Sequence, residues 1–195
     1  MQNFNSDIDI DFADRNEILK HIEHIPAAMR KVIPVRKHAT GVYVTTIPYD
    51  AEYDMATIDY ADAETRGYMK LDLLNVHVYN HVKSEEHLVQ LMREPNWDKL
   101  KDAAFVSKLI HLNGQYNNMQ KMPEPINSIP RLAMFLSIIR PGKKHLIGLR
   151  WAEIAKTVWD TGTDGYSFKR SHSCSYSFLV VVHMNLLEEN GIKID

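Results

Sequence analysis

Apolar and polar residues alternate at the start of the chain, as Asp7-Ile8-Asp9-Ile10-Asp11-Phe12. A period of two marks a β-strand, whose alternate side chains share a face. The three aspartates are therefore expected on one face of a strand over 7–12, and the isoleucines in a core. The period then lengthens. Asp14 with Glu17 resembles a capping box, and Ile18, Leu19, Ile22 and Ile25 fall at helical spacing, so a helix over 14–25, ended by Pro26, is predicted. The β-branched and aromatic run Gly41–Ile47 reads as a strand, and Tyr68–Leu73 alternates as another, leading into a helix through Val78. Ser84 opens a polar helix through Glu94, and Trp97–Leu112 reads as helical.

The second half is helical between breakers. Residues 113–130 carry Gly114, Pro123, Pro125 and Pro130 and read as a connection. Pro130 opens an apolar helix over 131–139, which Arg140-Pro141-Gly142 stops. A helix over Trp151–Trp159, a glycine-containing turn over 161–165 and a helix over Ser173–Asn190, with Gly191 as its C-cap, complete the chain. Strands early and helices late give an α+β class. The expected division is a catalytic unit over 1–83 and a helical unit over 84–195.

Composition narrows the chemistry. The 195 residues are 45% hydrophobic, enough for a real core. No apolar run is long enough for a bilayer span, and no secretory signal pattern is present, so a soluble, cytoplasmic protein with no membrane partner is expected. Cys174 is the only cysteine, which excludes an intrachain disulfide and a cysteine-based zinc site. The net charge of −2 hides an asymmetry: six acids against Arg15 and Lys20 over residues 1–26, and seven bases against three acids over 140–172. An acidic patch suits a metal, and a basic one suits a phosphate-bearing ligand.

The alternating aspartates are the sharpest candidate. Carboxylates held so close repel unless a cation neutralises them, and paired Mg²⁺ ions of the kind that serve polymerases and nucleases would do so. A calcium loop also begins Asp-x-Asp-x-Asp, but it needs glycine at its sixth position and glutamate at its twelfth; here those are Phe12 and Ile18. A solvated acidic strand is the plain alternative. Asp72, on the second alternating strand, would join Asp7 and Asp9 if the two strands are neighbours, and Lys70 would share its face.

Five segments, in order over residues 7–176, resemble the catalytic core of the bacterial DNA polymerase III alpha subunit, the C family of DNA polymerases. Asp7–Phe12 (DIDIDF) resembles that family's Asp-x-Asp-x-Asp-Phe strand, and His38–Val42 (HATGV) its His-Ala-x-Gly-Val strand. Gly67–Leu74 (GYMKLDLL) resembles its Gly-Leu-x-Lys-Phe-Asp-Phe-Leu strand, and Ile139–Gly142 (IRPG) its Arg-Pro-Gly turn. Tyr166–Tyr176 (YSFKRSHSCSY) resembles its Tyr-Gly-Phe-Asn-Lys-Ser-His-Ser-x-x-Tyr segment.

The resemblance implies a polymerase-beta-like palm sheet followed by a helical fingers remnant. It implies Asp7, Asp9 and Asp72 as the catalytic metal ligands, holding Mg²⁺ or Mn²⁺. It implies Lys70, Arg140, Arg170 and His172 as contacts to the nucleotide, with Lys169 standing where the family has asparagine. Asp11, His38, Ser171 and Ser173 fall in the matched segments and read as supporting. Ser171-His172-Ser173 is not read as a hydrolytic centre, because phosphoryl transfer of this kind needs no protein nucleophile.

The departures are large. The chain begins just before the acidic strand, so the family's N-terminal phosphoesterase-like domain is expected to be missing. So are its Gly-Ser palm segment and a clamp-binding tail. Only about 25 residues separate Phe12 from His38, too few for a thumb. The expected function is a minimal polymerase-type nucleotidyltransferase acting on DNA primer-template and dNTP, in a phage-type setting, alone or with a second chain that supplies missing segments. The alternatives are a DNA- or replisome-binding protein derived from a palm, and a nucleotide- or DNA-modifying enzyme that reuses the metal site.

Overall fold

A computed structural model of the protein describes residues 8–160 and 167–190. Asp7, the whole of the turn over 161–165, and Gly191 lie outside the described residues. The chain is α+β and divides into two units, Met1–His81 and Val82–Asp195.

The first unit is built on a four-stranded sheet. Its strands are β1 (Ile8–Phe12), β2 (Ile25–Met29), β3 (Arg36–Tyr43) and, after a two-stranded ribbon of β4 (Tyr49–Asp50) and β5 (Met55–Ala56), β6 (Leu71–Asn75). The spatial order is β1-β6-β3-β2. β1 runs parallel to β6, whereas β3 is antiparallel to both β6 and β2. Two short helices, α1 (Arg15–Leu19) and α2 (Tyr60–Thr65), flank the strands. Ala27, Ala28, Tyr43, Ile47, Met55, Ala56 and Ala63 form the core of this unit.

Several expectations are corrected here. The helix over 14–25 stops at Leu19, and Ile25 and Pro26 belong to β2, where they stand opposite Tyr43 and Val42. Pro26 breaks nothing: β2 is the outer strand, a bulge follows between Pro26 and Ala28, and a missing N–H is tolerated there. Burial of Ala27 and Ala28 in the core outweighs the helical spacing of the isoleucines. The isoleucines of β1 do not enter a core, since Ile8 and Ile10 remain 40% and 38% exposed. The strand expected over 41–47 runs instead over Arg36–Tyr43. The one expected over 68–73 begins at Leu71, which leaves Lys70 just ahead of it, and a 3₁₀ turn over His77–His81 follows.

The second unit is helical. It comprises α3 (Glu85–Leu91), α4 (Ala103–Val106), α5 (Tyr116–Gln120), α6 (Ile129–Ile138), α7 (Trp151–Thr157) and α8 (Arg170–Glu189). Ser84 caps α3 by accepting the His87 N–H at 3.1 Å, as its position predicts. Ser128 caps α6, with Pro130 in its first turn. The single helix expected over 97–112 is broken into a 3₁₀ turn, Trp97–Lys101, and the short α4, separated by Asp102. The connection over 113–130 contains α5, and Pro141–Leu146 forms a 3₁₀ turn. α6 and α8 face each other through Leu132, Phe135, Leu136, Val180, Val181 and Met184, all buried. Among the described residues, no helix is long and apolar enough to cross a membrane.

Candidate functional site

The sheet brings two of the expected acids together. Asp9 stands opposite Asp72 in the parallel β1–β6 register. In-register residues on neighbouring strands share a face and sit about 4.8 Å apart along the ladder. Asp11, two residues further along β1, lies on the face of Asp9. Burial, and then the charge of Asp9, push the Asp11 carboxyl above its ordinary value. Asp7, the third expected ligand, lies outside the described residues.

Asp72 is buried and held at both oxygens. The Thr40 hydroxyl donates to Oδ1 at 2.6 Å, and the Lys70 ammonium donates to Oδ2. Burial pushes this carboxyl up, but the hydrogen bonds from Lys70 and Thr40 outweigh it and hold Asp72 below its usual value. The Nδ1 of His38 lies 3.6 Å from the same Oδ1. That nitrogen also accepts the Gly41 N–H at 2.9 Å. His38 thus lines Asp72 and helps to lower its carboxyl, and its ring meets Tyr60 edge-on at 5.0 Å.

Thr40 and Gly41 complete the arrangement, and sequence reasoning gave neither a role. Gly41 is the register partner of Asp72 on β3. A Cβ placed on it would lie 2.7 Å from Cδ of Lys70 and 3.0 Å from Nδ1 of His38. The lysine stem thus runs through the space a side chain would fill. A lone glycine inside a β-branched strand is the available signal for such a close approach. Arg15 braces the same corner: its guanidinium donates to the carbonyls of Ala39 and Thr40, the latter at 3.3 Å, and its N–H donates to Oδ1 of Asn75 at 2.7 Å.

The basic residues of 140–172 do not form one patch. The Arg140 guanidinium lies over the Phe168 ring at 4.0 Å, and Phe168 meets Tyr176 at 5.3 Å and His172 at 6.3 Å. His111 completes this cluster, 4.4 Å from the Tyr176 ring. Burial, and then the nearby Arg140 charge, push His111 down to about 4. Arg140 and His172 are thus brought together on an aromatic surface. Arg170 is not with them. It lines a groove of about 320 Å³ with Cys174, Phe178, Met134 and Trp159. Two residues along a helix turn by about 200°, which separates it from His172.

The remaining expected residues take lesser places. Lys169 is the exposed N-cap of α8, Ser171 is exposed in its first turn, and Ser173 is fully buried. Lys143 is withdrawn from the surface altogether: it is 2% exposed and donates to the carbonyls of Thr157 at 3.0 Å and Asp160 at 2.9 Å, at the end of α7.

Among the described residues, no group of three or more His, Cys, Asp or Glu is arranged to hold a metal ion. The pair Asp9 and Asp72 offers oxygen donors only, which suits Mg²⁺ or Mn²⁺ rather than softer metals. Mg²⁺ is commonly held by one or two carboxylates, with substrate phosphates and water completing its shell. No family model matches the chain, and no curated protein or solved structure matches it either.

Proposed function

We propose that this protein is a reduced DNA polymerase-type nucleotidyltransferase of the polymerase III alpha kind, with the four-stranded sheet as its palm. The observation that carries the reading is the in-register pair of Asp9 and Asp72 on adjacent parallel strands. Such a pair is costly to keep unless a cation or another positive group sits against it. The order of the five resembling segments supports the choice of chemistry.

Mg²⁺ or Mn²⁺ would supply charge neutralisation for attack of a primer 3′-hydroxyl on the α-phosphorus of a dNTP, with pyrophosphate leaving. The chain's part is positional. Asp9 and Asp72, with Asp7, would hold the metal, and Thr40 fixes the orientation of Asp72. The resemblance gives Arg140, Lys169, Arg170 and His172 to phosphate oxygens; Arg140 and His172 share the aromatic cluster, whereas Arg170 lines a separate groove. DNA primer-template and dNTP are the substrates on this reading. A second chain would, on this reading, supply surfaces that grip the duplex.

A second reading has its own observation. Lys70 already neutralises Asp72, so the acidic site is stable with no metal, as a DNA- or replisome-binding protein derived from a palm would need. One assay separates the two. Purified protein and an Asp9→Ala variant are given primer-template, dNTPs and Mg²⁺ or Mn²⁺. Extension by the protein and its loss in the variant is the expected result. No extension by either, with equal DNA binding, favours the binding protein. Metal-dependent nucleotide turnover without primer growth would point to a modifying enzyme.

A further inference from the structure

The Lys70–Asp72 contact raises a question that the metal reading leaves open. A divalent cation at Asp72 would meet a site whose Oδ2 is already bonded to an ammonium. The contact is built in. Lys70 and Asp72 have side chains only 14% and 12% exposed, so this is no loose surface pair. The lysine stem passes through the space left by Gly41, within 2.7 Å of where a Cβ would be. The other oxygen, Oδ1, is occupied by Thr40. Of the two partners, the hydroxyl is neutral and compatible with a metal on the same carboxylate, since each oxygen keeps a second lone pair. The ammonium is a like charge to the metal and is not.

We propose that Lys70 is a resident counter-ion that competes with the divalent cation for Asp72, so that metal occupancy and the Lys70–Asp72 contact exclude each other. The proposal rests on the metal reading given above. The physical ground is charge. A buried carboxylate needs about one compensating positive charge, and leaving it unpaired is costly. Lys70 supplies that charge in the resting protein. A cation arriving at Asp72 must displace it, and its affinity is lowered by the strength of the contact it breaks. The same linkage runs in reverse: whatever draws Lys70 away, such as an anionic phosphate, raises affinity for the metal.

The test is a Mn²⁺ titration of the full chain followed by electron paramagnetic resonance, with no substrate present. Wild type is compared with Lys70→Met, which keeps the stem and removes the charge, and with Asp72→Asn. The expected result is Mn²⁺ binding at least five-fold tighter in Lys70→Met and lost in Asp72→Asn. Equal or weaker binding in Lys70→Met, with Asp72→Asn still impaired, overturns the competition and leaves the metal reading standing. Unchanged binding in Asp72→Asn overturns the metal reading, and the competition with it. A thermal melt covers the chance that Lys70→Met folds poorly. Mn²⁺ should raise its melting temperature more than that of wild type, and an equal rise in both counts against the proposal.

Discussion

Gly41 lies opposite Asp72 across the β3–β6 ladder, and the stem of Lys70 occupies the space where its side chain would be. A single missing methyl group therefore decides whether a lysine can reach an aspartate. Gly41→Ala should push Lys70 off Asp72 without straining the backbone. The expected outcome is a rise in the Asp72 carboxyl pKa, read by NMR titration. Loss of the partner from this buried carboxylate should also cost about 1–3 kcal/mol of stability. An unchanged Asp72 titration would show that the stem has another route.

Asp59 is the main polar tie in the core of the first unit. It is 6% exposed and accepts from the N–H groups of Arg30 at 2.7 Å, Ala61 at 3.1 Å and Lys31 at 3.2 Å, capping α2 and anchoring the end of β2. Burial pushes its carboxyl up, but these three amides outweigh burial and leave it lowered. A lowered folded value means that the stabilisation is present above the ordinary carboxylate range and lost as pH falls through the folded value. Asp59→Ala should destabilise by about 2–4 kcal/mol in urea denaturation at neutral pH. The deficit should shrink as the pH is lowered.

His111 also loses stability as pH falls, but in a higher pH window. The unfolded chain takes up its proton near 6.5, the folded chain only near about 4. The folded state thus binds fewer protons between those values, and stability falls as pH drops through that window. The slope is at most about 1.4 kcal/mol per pH unit, and less for a ring with partial access to water. His111 also has a backbone φ of 62°, a conformation that asparagine tolerates. His111→Asn should therefore fold and flatten the stability profile between pH 6.5 and 4. Denaturant midpoints at pH 7, 5.5 and 4.5 measure it, and parallel profiles for the two proteins would count against this assignment.

The α+β class was legible because period-two runs precede long apolar helices, and the helix start at Ser84 sat where its side chain can accept a backbone N–H. The pairing of Asp9 with Asp72 was legible as a possibility, since both lie on alternating strands. Its register was not, because parallel neighbours separated by some sixty residues leave no local trace. The helix expected over 14–25 failed for a related reason. Ile22 and Ile25 have helical spacing, but the pairing of Ile25 with Tyr43 is a long-range gain that a local pattern cannot contain. Thr40 was passed over because a threonine in a strand is ordinary until its hydroxyl is seen on a carboxylate. The separation of Arg170 from His172 followed once α8 was found to begin at Arg170 rather than Ser173.

The exposure of Ile8 and Ile10 has a consequence for how the acids stay aligned. A strand that buries one face resists slipping by a single residue, because the slip would turn its apolar side outward. On β1 that penalty is small, since the isoleucines are already two-fifths exposed. The alignment must instead be pinned at the strand's far end. There the Val76 N–H donates to the Phe12 carbonyl at 2.7 Å, and Asn75 accepts from the Arg15 N–H. Those two bonds, a few residues beyond the carboxylates, keep Asp9 beside Asp72 rather than one step past it.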